Sequence, residues 1–129
     1  MLMKKTLIIL KKTVVYLIAF SFVLIGFSHF INPTFFINIM PPSLPYHLEL
    51  VYLSGFFEIS LGALLVFNKT RKLAAWGLIL LLIAVFPANI YLVQSTEAQQ
   101  ALGISETMAI VRLPFQLVFI AIAFWFTRD

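Results

Sequence analysis

Charged side chains cluster in short intervals of this chain, and long apolar stretches lie between them. An uninterrupted apolar run of about 17–25 residues is long enough to cross a bilayer as a helix. Four such runs stand out, at about 13–31, 48–67, 73–93 and 107–127. They predict an all-α polytopic membrane protein, an antiparallel four-transmembrane-helix bundle forming one domain over residues 1–129. The preceding MLMKKTLIILKK suits an extension of the first helix, its lysines snorkelling to the headgroups. A cleaved leader is not expected, because the run is followed by GFSHFINPTFF, which has no small-x-small cleavage pattern.

The placement of the cations predicts an orientation. Lys4, Lys5, Lys11 and Lys12 precede the first run, Lys69, Arg71 and Lys72 separate the second from the third, and Arg128 follows the fourth. The connections 32–47 and 94–106 contain no Lys or Arg. With four spans every flanking cation falls on one side, so both termini and the 2–3 connection are expected in the cytoplasm. Composition agrees with this reading: 62% of residues are hydrophobic, 11% are charged, and the mean hydropathy is +1.04. Soluble domains carry about 25% charged residues. The formal charge of +4 is therefore a topological signal rather than a nucleic-acid footprint. The chain has no cysteine, which removes thiolate metal sites, iron–sulfur ligation and CxxC redox chemistry.

The first non-basic connection, NPTFFINIMPPSLPY, mixes Pro33, Pro41, Pro42 and Pro45 with large apolar residues. Its prolines argue against a regular helix. Phe35, Phe36, Ile37, Ile39 and Met40 argue against a solvated loop, leaving an interfacial anchor or a lid over the bundle mouth.

Inside the runs a few polar residues carry any candidate chemistry. Glu58 stands in SGFFEISLG, with Ser54, Gly55 and Gly62 on its helical face. Small residues let a neighbouring helix come close, so that face is expected to point into the bundle. A lone carboxylate ion at that depth is costly and needs a proton or a partner. Arg112 is the other strongly ionic group within a span. At 1.5 Å rise per residue, Glu58 lies about 15 Å down its helix and Arg112 about 8 Å down its own. A Glu58–Arg112 pair is therefore expected. His29, Asn89 and Gln116 fall in the same outer half, and Pro87 and Pro114 free the carbonyls of Ile83 and Ile110 at similar depth.

These five residues, His29, Glu58, Asn89, Arg112 and Gln116, suit either a hydrogen-bonded network holding the helices together or a polar-lined pocket. A metal site from His29 and Glu58 with His47 or Glu49 has no ligand spacing behind it, so no metal is expected. No nucleophile–base arrangement and no Gly-rich phosphate loop is present, so no catalytic residue is assigned.

The stretches GFSHFINPTFFINIMPPSLPYHLELVYLSGFFEISLGALLV, TRKLAAWGLILLLIAVFPANIYL and VRLPFQLVFIAIAFWF closely resemble the DoxX-like family of small bacterial four-helix membrane proteins. The resemblance rests on His29, Pro33, Pro41, Pro45, Gly55, Glu58, Arg71, Pro87, Asn89, Arg112, Pro114 and Gln116. It implies a bacterial cytoplasmic membrane location and an association with quinone-linked redox complexes. Distant animal relatives act as receptor-assembly chaperones. The leading expectation is an accessory subunit of a membrane redox system that binds a quinone- or lipid-like molecule, with Arg112, His29 or Asn89 donating to its oxygens. The alternative is an assembly or interaction factor with a purely structural polar network. A stand-alone enzyme using Glu58 as acid or base fits least, since an arginine partner would tie up the carboxylate. Expected partners are membrane lipids, with a membrane-protein partner or a second copy left open and no nucleic acid.

Overall fold

The computed structural model describes residues 1–128 and is all-helical over them. Its elements are α1 (Leu2–Ile31), α2 (Pro33–Ile37), α3 (His47–Leu65), α4 (Arg71–Gln94), α5 (Thr96–Leu102) and α6 (Glu106–Phe126). The four longer ones, α1, α3, α4 and α6, are each long and apolar enough to cross a membrane.

The first helix is continuous from Leu2, so the lysine-bearing segment extends it. Its 30 residues measure about 45 Å, against a hydrocarbon core of about 30 Å. The excess matches the segment that carries Lys4, Lys5, Lys11 and Lys12. Hydroxyls along this helix are satisfied locally: Thr13 Oγ1 donates to the Ile9 carbonyl at 2.9 Å and Ser21 Oγ to Leu17 at 2.8 Å.

Two short helices were not foreseen. The proline-rich connection was expected to be non-helical, yet Pro33–Ile37 forms one turn of helix. Pro33 occupies its first turn, where a fixed φ is pre-organised and a missing N–H costs nothing. Pro41, Pro42 and Pro45 then hold the chain in turns up to Tyr46, which enters α3 with φ of 56°. In the other connection, Ser95 caps α5 by accepting from the Ala98 amide, and Gly103 ends it at φ 69°. Gln99 of α5 is buried and donates to the Leu92 and Val93 carbonyls at the end of α4.

The closest helix contact joins α1 to α3. A Cβ built on Gly26 would lie 2.8 Å from the Gly55 carbonyl oxygen, and one on Gly55 would lie 2.9 Å from the Gly26 oxygen. About two turns further along, Gly62 faces the Ala19 carbonyl. Small residues at these points allow the backbones themselves to touch. Helix α4 packs on α3 and on α6. Near the basic end a core forms from Val15, Ala19, Leu65, Ala74, Leu78 and Phe126 with their neighbours, and a smaller one at the other end joins Ile39, Leu92, Ala98 and Ala109.

The glycine seam generates a stability prediction. Gly26→Ala and Gly55→Ala each push a methyl group against backbone, which cannot move aside, and should destabilise by about 1–3 kcal/mol. Gly77→Ala meets only the Leu61 side chain, which can rotate, and should cost clearly less. Reversible unfolding in detergent measures all three; equal losses would show that the close approach is not special.

Candidate functional site

Between the two apolar cores the packing opens. Helix α4 contributes Leu78 and Ile79 to one core and Leu92 to the other, and the stretch between them, with Val85, Ala88 and Asn89, faces a cavity of about 190 Å³. At about 30 Å³ per water, that space would hold roughly six. Its polar wall is His29, Ser54, Glu58, Asn89 and Arg112, and Phe35, Phe36, Ile39 and Met40 close it from the side of the first connection.

His29 reaches this wall because α1 and α3 touch at Gly26 and Gly55. Its ring is buried, and Phe36 stacks on it at 3.7 Å between centroids and 15° between planes. The helix break at Asn32–Pro33 makes this possible by turning α2 back over the end of α1. The Nδ1 atom lies 2.8 Å from the Ile25 carbonyl oxygen, which only accepts, so Nδ1 carries a proton. The other ring nitrogen, Nε2, lies 3.1 Å from Glu58 Oε2, within ion-pair distance, although this buried oxygen makes no aligned hydrogen bond. Two bare lone pairs would repel at that distance. A proton on one of the two groups relieves that repulsion, leaving a carboxylic acid beside an imidazole or an imidazolium beside a carboxylate. Either way the pair is neutral overall, which removes most of the cost of burying it.

The expected Glu58–Arg112 pair is not what forms. Glu58 is held by His29, and Arg112 Nε donates to Asn89 Oδ1 at 3.3 Å. Depth along the helix was a sound guide to which groups share a level. It could not tell that the glycine contact would put His29 directly against Glu58, while the α4–α6 contact gives Arg112 an amide partner instead. Both Glu58 and Arg112 nonetheless line the same cavity.

Gln116 is one helical turn from Arg112 but stands outside the cavity lining. It is buried, accepts from Asn89 Nδ2, and donates through Nε2 to the Leu82 carbonyl at 2.5 Å. Gln116 thus ties α6 to α4 and, through Asn89, orients Arg112. The carbonyl it takes is that of Leu82, not Ile83, which Pro87 leaves free. His47 bonds to the Pro41 carbonyl at 3.2 Å, and neither it nor Glu49 joins the cavity wall. Among the described residues no group of three His, Asp or Glu could hold a metal ion. The stack of Phe36 on His29 was missed, although the signal lay in HFINPTFF, where a helix-breaking Asn-Pro separates an apolar turn from a histidine.

The fold and site define a compact helical protein with four membrane-length helices and a polar-walled cavity near one end. The chain belongs to the family described as a domain of unknown function, DUF8561, which matches residues 18–127, from within α1 to the end of α6. No curated protein and no solved structure matches it.

The contacts predict which residues are coupled. In a double-mutant cycle, His29→Ala and Glu58→Ala should be strongly non-additive, because the first substitution already removes the partner of the second. Glu58→Ala and Arg112→Ala share no direct contact and should add to within about 0.5 kcal/mol. Glu58→Gln should be milder than Glu58→Ala, since an amide N–H can donate to Nε2. Unfolding free energies of the variants in one detergent decide this, and coupling of Glu58 to Arg112 instead of His29 would contradict the geometry.

Proposed function

We propose that this protein is a multi-pass component of the bacterial cytoplasmic membrane, an antiparallel bundle of four spans with both termini in the cytoplasm. Its cavity, lying toward the outer face, binds the polar head of a quinone- or lipid-like molecule, and the protein serves as an accessory subunit of a membrane redox system. The cavity carries the proposal. A network serving only to hold helices together gains nothing from an unfilled space, and interhelical polar contacts of this kind are individually weak. Here Asn89 and Gln116 do bind helix to helix, but His29, Glu58 and Arg112 border open volume.

Membrane insertion is supported by what the helices leave outside. No more than 22–28% of each span's most apolar window is buried within the protein, and Leu17, Phe20, Phe56, Leu80 and Leu117 are all exposed. Apolar surface on every long helix needs lipid around it. The orientation rests on the cations: they gather at the end where α3 passes to α4 and where α6 terminates, and Arg112 alone lies elsewhere.

The ligand class follows from the wall. A volume of 190 Å³ suits a ring or headgroup rather than a whole lipid, so an apolar tail would leave between helices. Arg112 spends Nε on Asn89 and keeps its terminal N–H groups for an acceptor oxygen. The His29–Glu58 pair adds an imidazole and a carboxyl group at the same wall. Phe36 and Phe35 supply flat apolar faces. A carbonyl or hydroxyl on an aromatic or quinonoid head fits all three. The DoxX-like resemblance supports the redox setting.

Purified protein should retain a lipid-like compound detectable by native mass spectrometry, and added ubiquinone or menaquinone should raise Tm by mass action. Arg112→Ala should abolish that rise while lowering the Tm of the ligand-free protein little. An unchanged Tm with every quinone tried, together with stoichiometric co-purification of another membrane protein, would favour an assembly role instead. Orientation is checked separately, because the chain has no native cysteine. Single cysteines at Ser43 and Thr96 should react with an impermeant maleimide on intact cells, and one at Thr70 should not.

A further inference from the structure

A second cleft, of about 360 Å³, lies at the opposite end of the molecule from the polar cavity. Lys11 and Lys12 of α1, Arg71 and Lys72 at the start of α4, and Arg128 after α6 converge on it, with Phe126 among the apolar residues beside them. Two of the cations are fixed by backbone. Arg71 donates from Nε to the Leu65 carbonyl at 2.8 Å and from Nη2 to Val66 at 3.1 Å, and Lys11 Nζ donates to the Arg128 carbonyl at 2.5 Å.

The start of α4 adds to the same positive field. Thr70, its N-cap residue, does not cap; its hydroxyl donates backward to the Leu64 carbonyl at 2.7 Å. The first turn holds no acidic residue, and Arg71 and Lys72 occupy it instead. Cations at the N-terminus of a 24-residue helix oppose its dipole, where a carboxylate or phosphate would be favoured. Cations drawn from three parts of the chain, together with an uncapped helix start, make a concave surface suited to an anion.

We propose that this cleft holds the phosphate group of an anionic phospholipid. A lipid is favoured over free phosphate because apolar surface continues directly from the cleft: Ile8 and Phe126 line it, and Leu7, Leu10, Leu73 and Trp76 are exposed nearby along α1 and α4. Acyl chains would lie against these residues while the phosphate sits among the cations. Basic pockets at the ends of membrane helices recognise lipid headgroups by this chemistry. The inference depends on the helices spanning a membrane, and not on what occupies the polar cavity.

The test uses the full chain in neutral detergent micelles, with three probes added separately: phosphatidylglycerol, phosphatidylcholine and inorganic phosphate. Phosphatidylglycerol should raise Tm and appear as a bound mass in native spectra, and the other two should do neither. The double variant Lys12→Gln, Arg128→Gln should lose at least half of the shift. Lys4→Gln, Lys5→Gln removes the same charge outside the cleft and should keep it. Equal Tm in the two lipids overturns the proposal. So does a shift produced by inorganic phosphate alone, or equal loss in both double variants, which would mean only a diffuse surface charge. Should the cleft variant fail to fold, the three-probe comparison on the unaltered chain still decides.

Discussion

Backbone contact between α1 and α3 at Gly26 and Gly55 is the constraint on which the candidate site depends. A Cβ on either glycine would come within 3.0 Å of the other's carbonyl oxygen. That proximity leaves His29, three residues beyond Gly26, facing Glu58, three residues beyond Gly55. Their 3.1 Å contact gives the Glu58 carboxyl group, whose Oε2 is otherwise buried without a hydrogen bond, an ionisable neighbour. Without the close approach Glu58 would face open volume alone, at a depth where an unpartnered ion is costly. The same contact also positions Phe36, which needs a flat buried ring beneath it.

The other wall is built on a different principle. Between α4 and α6 the helices are joined by side-chain amides, with Gln116 bridging Asn89 and the Leu82 carbonyl and Asn89 in turn accepting from Arg112. Amide groups can donate and accept together, so Asn89 bonds to Gln116 through its N–H and still accepts from the Arg112 guanidinium through its oxygen. One wall thus holds a neutral acid–base pair and the other holds a guanidinium, with the cavity between them. Keeping Arg112 away from Glu58 leaves both able to act on a bound molecule. A direct salt bridge would have consumed them.

Much of this was legible in the sequence, and the reasons are specific. The long helices follow from apolar runs with cations at one end, and the inward-facing side of α3 from Ser54, Gly55, Glu58 and Gly62. His29, Glu58, Asn89 and Arg112 could be grouped because each is polar where its neighbours are not. The partners within the group were not legible. Axial depth pairs Arg112 with Glu58, whereas the choice depends on which helices touch, a fact carried by Gly26, which has no polar group to mark it among its apolar neighbours. Pro33 was read as a helix breaker when its position after Asn32 made it a helix starter, and α5 was passed over because seven residues leave no periodic signature. Such errors arise where a local rule has two outcomes and tertiary contact selects one.

The central claim is that the space between His29–Glu58 and Arg112 receives a molecule with a polar head and an apolar tail. Photo-crosslinking addresses it most directly. A quinone carrying a photoreactive group on its ring, irradiated with the protein in detergent and mapped by peptide mass spectrometry, should modify residues 35–40 and 85–89. Unlabelled quinone in excess should suppress that labelling. Label confined to lipid-facing positions such as Leu17, Phe20 or Leu80, and insensitive to competitor, would contradict the account.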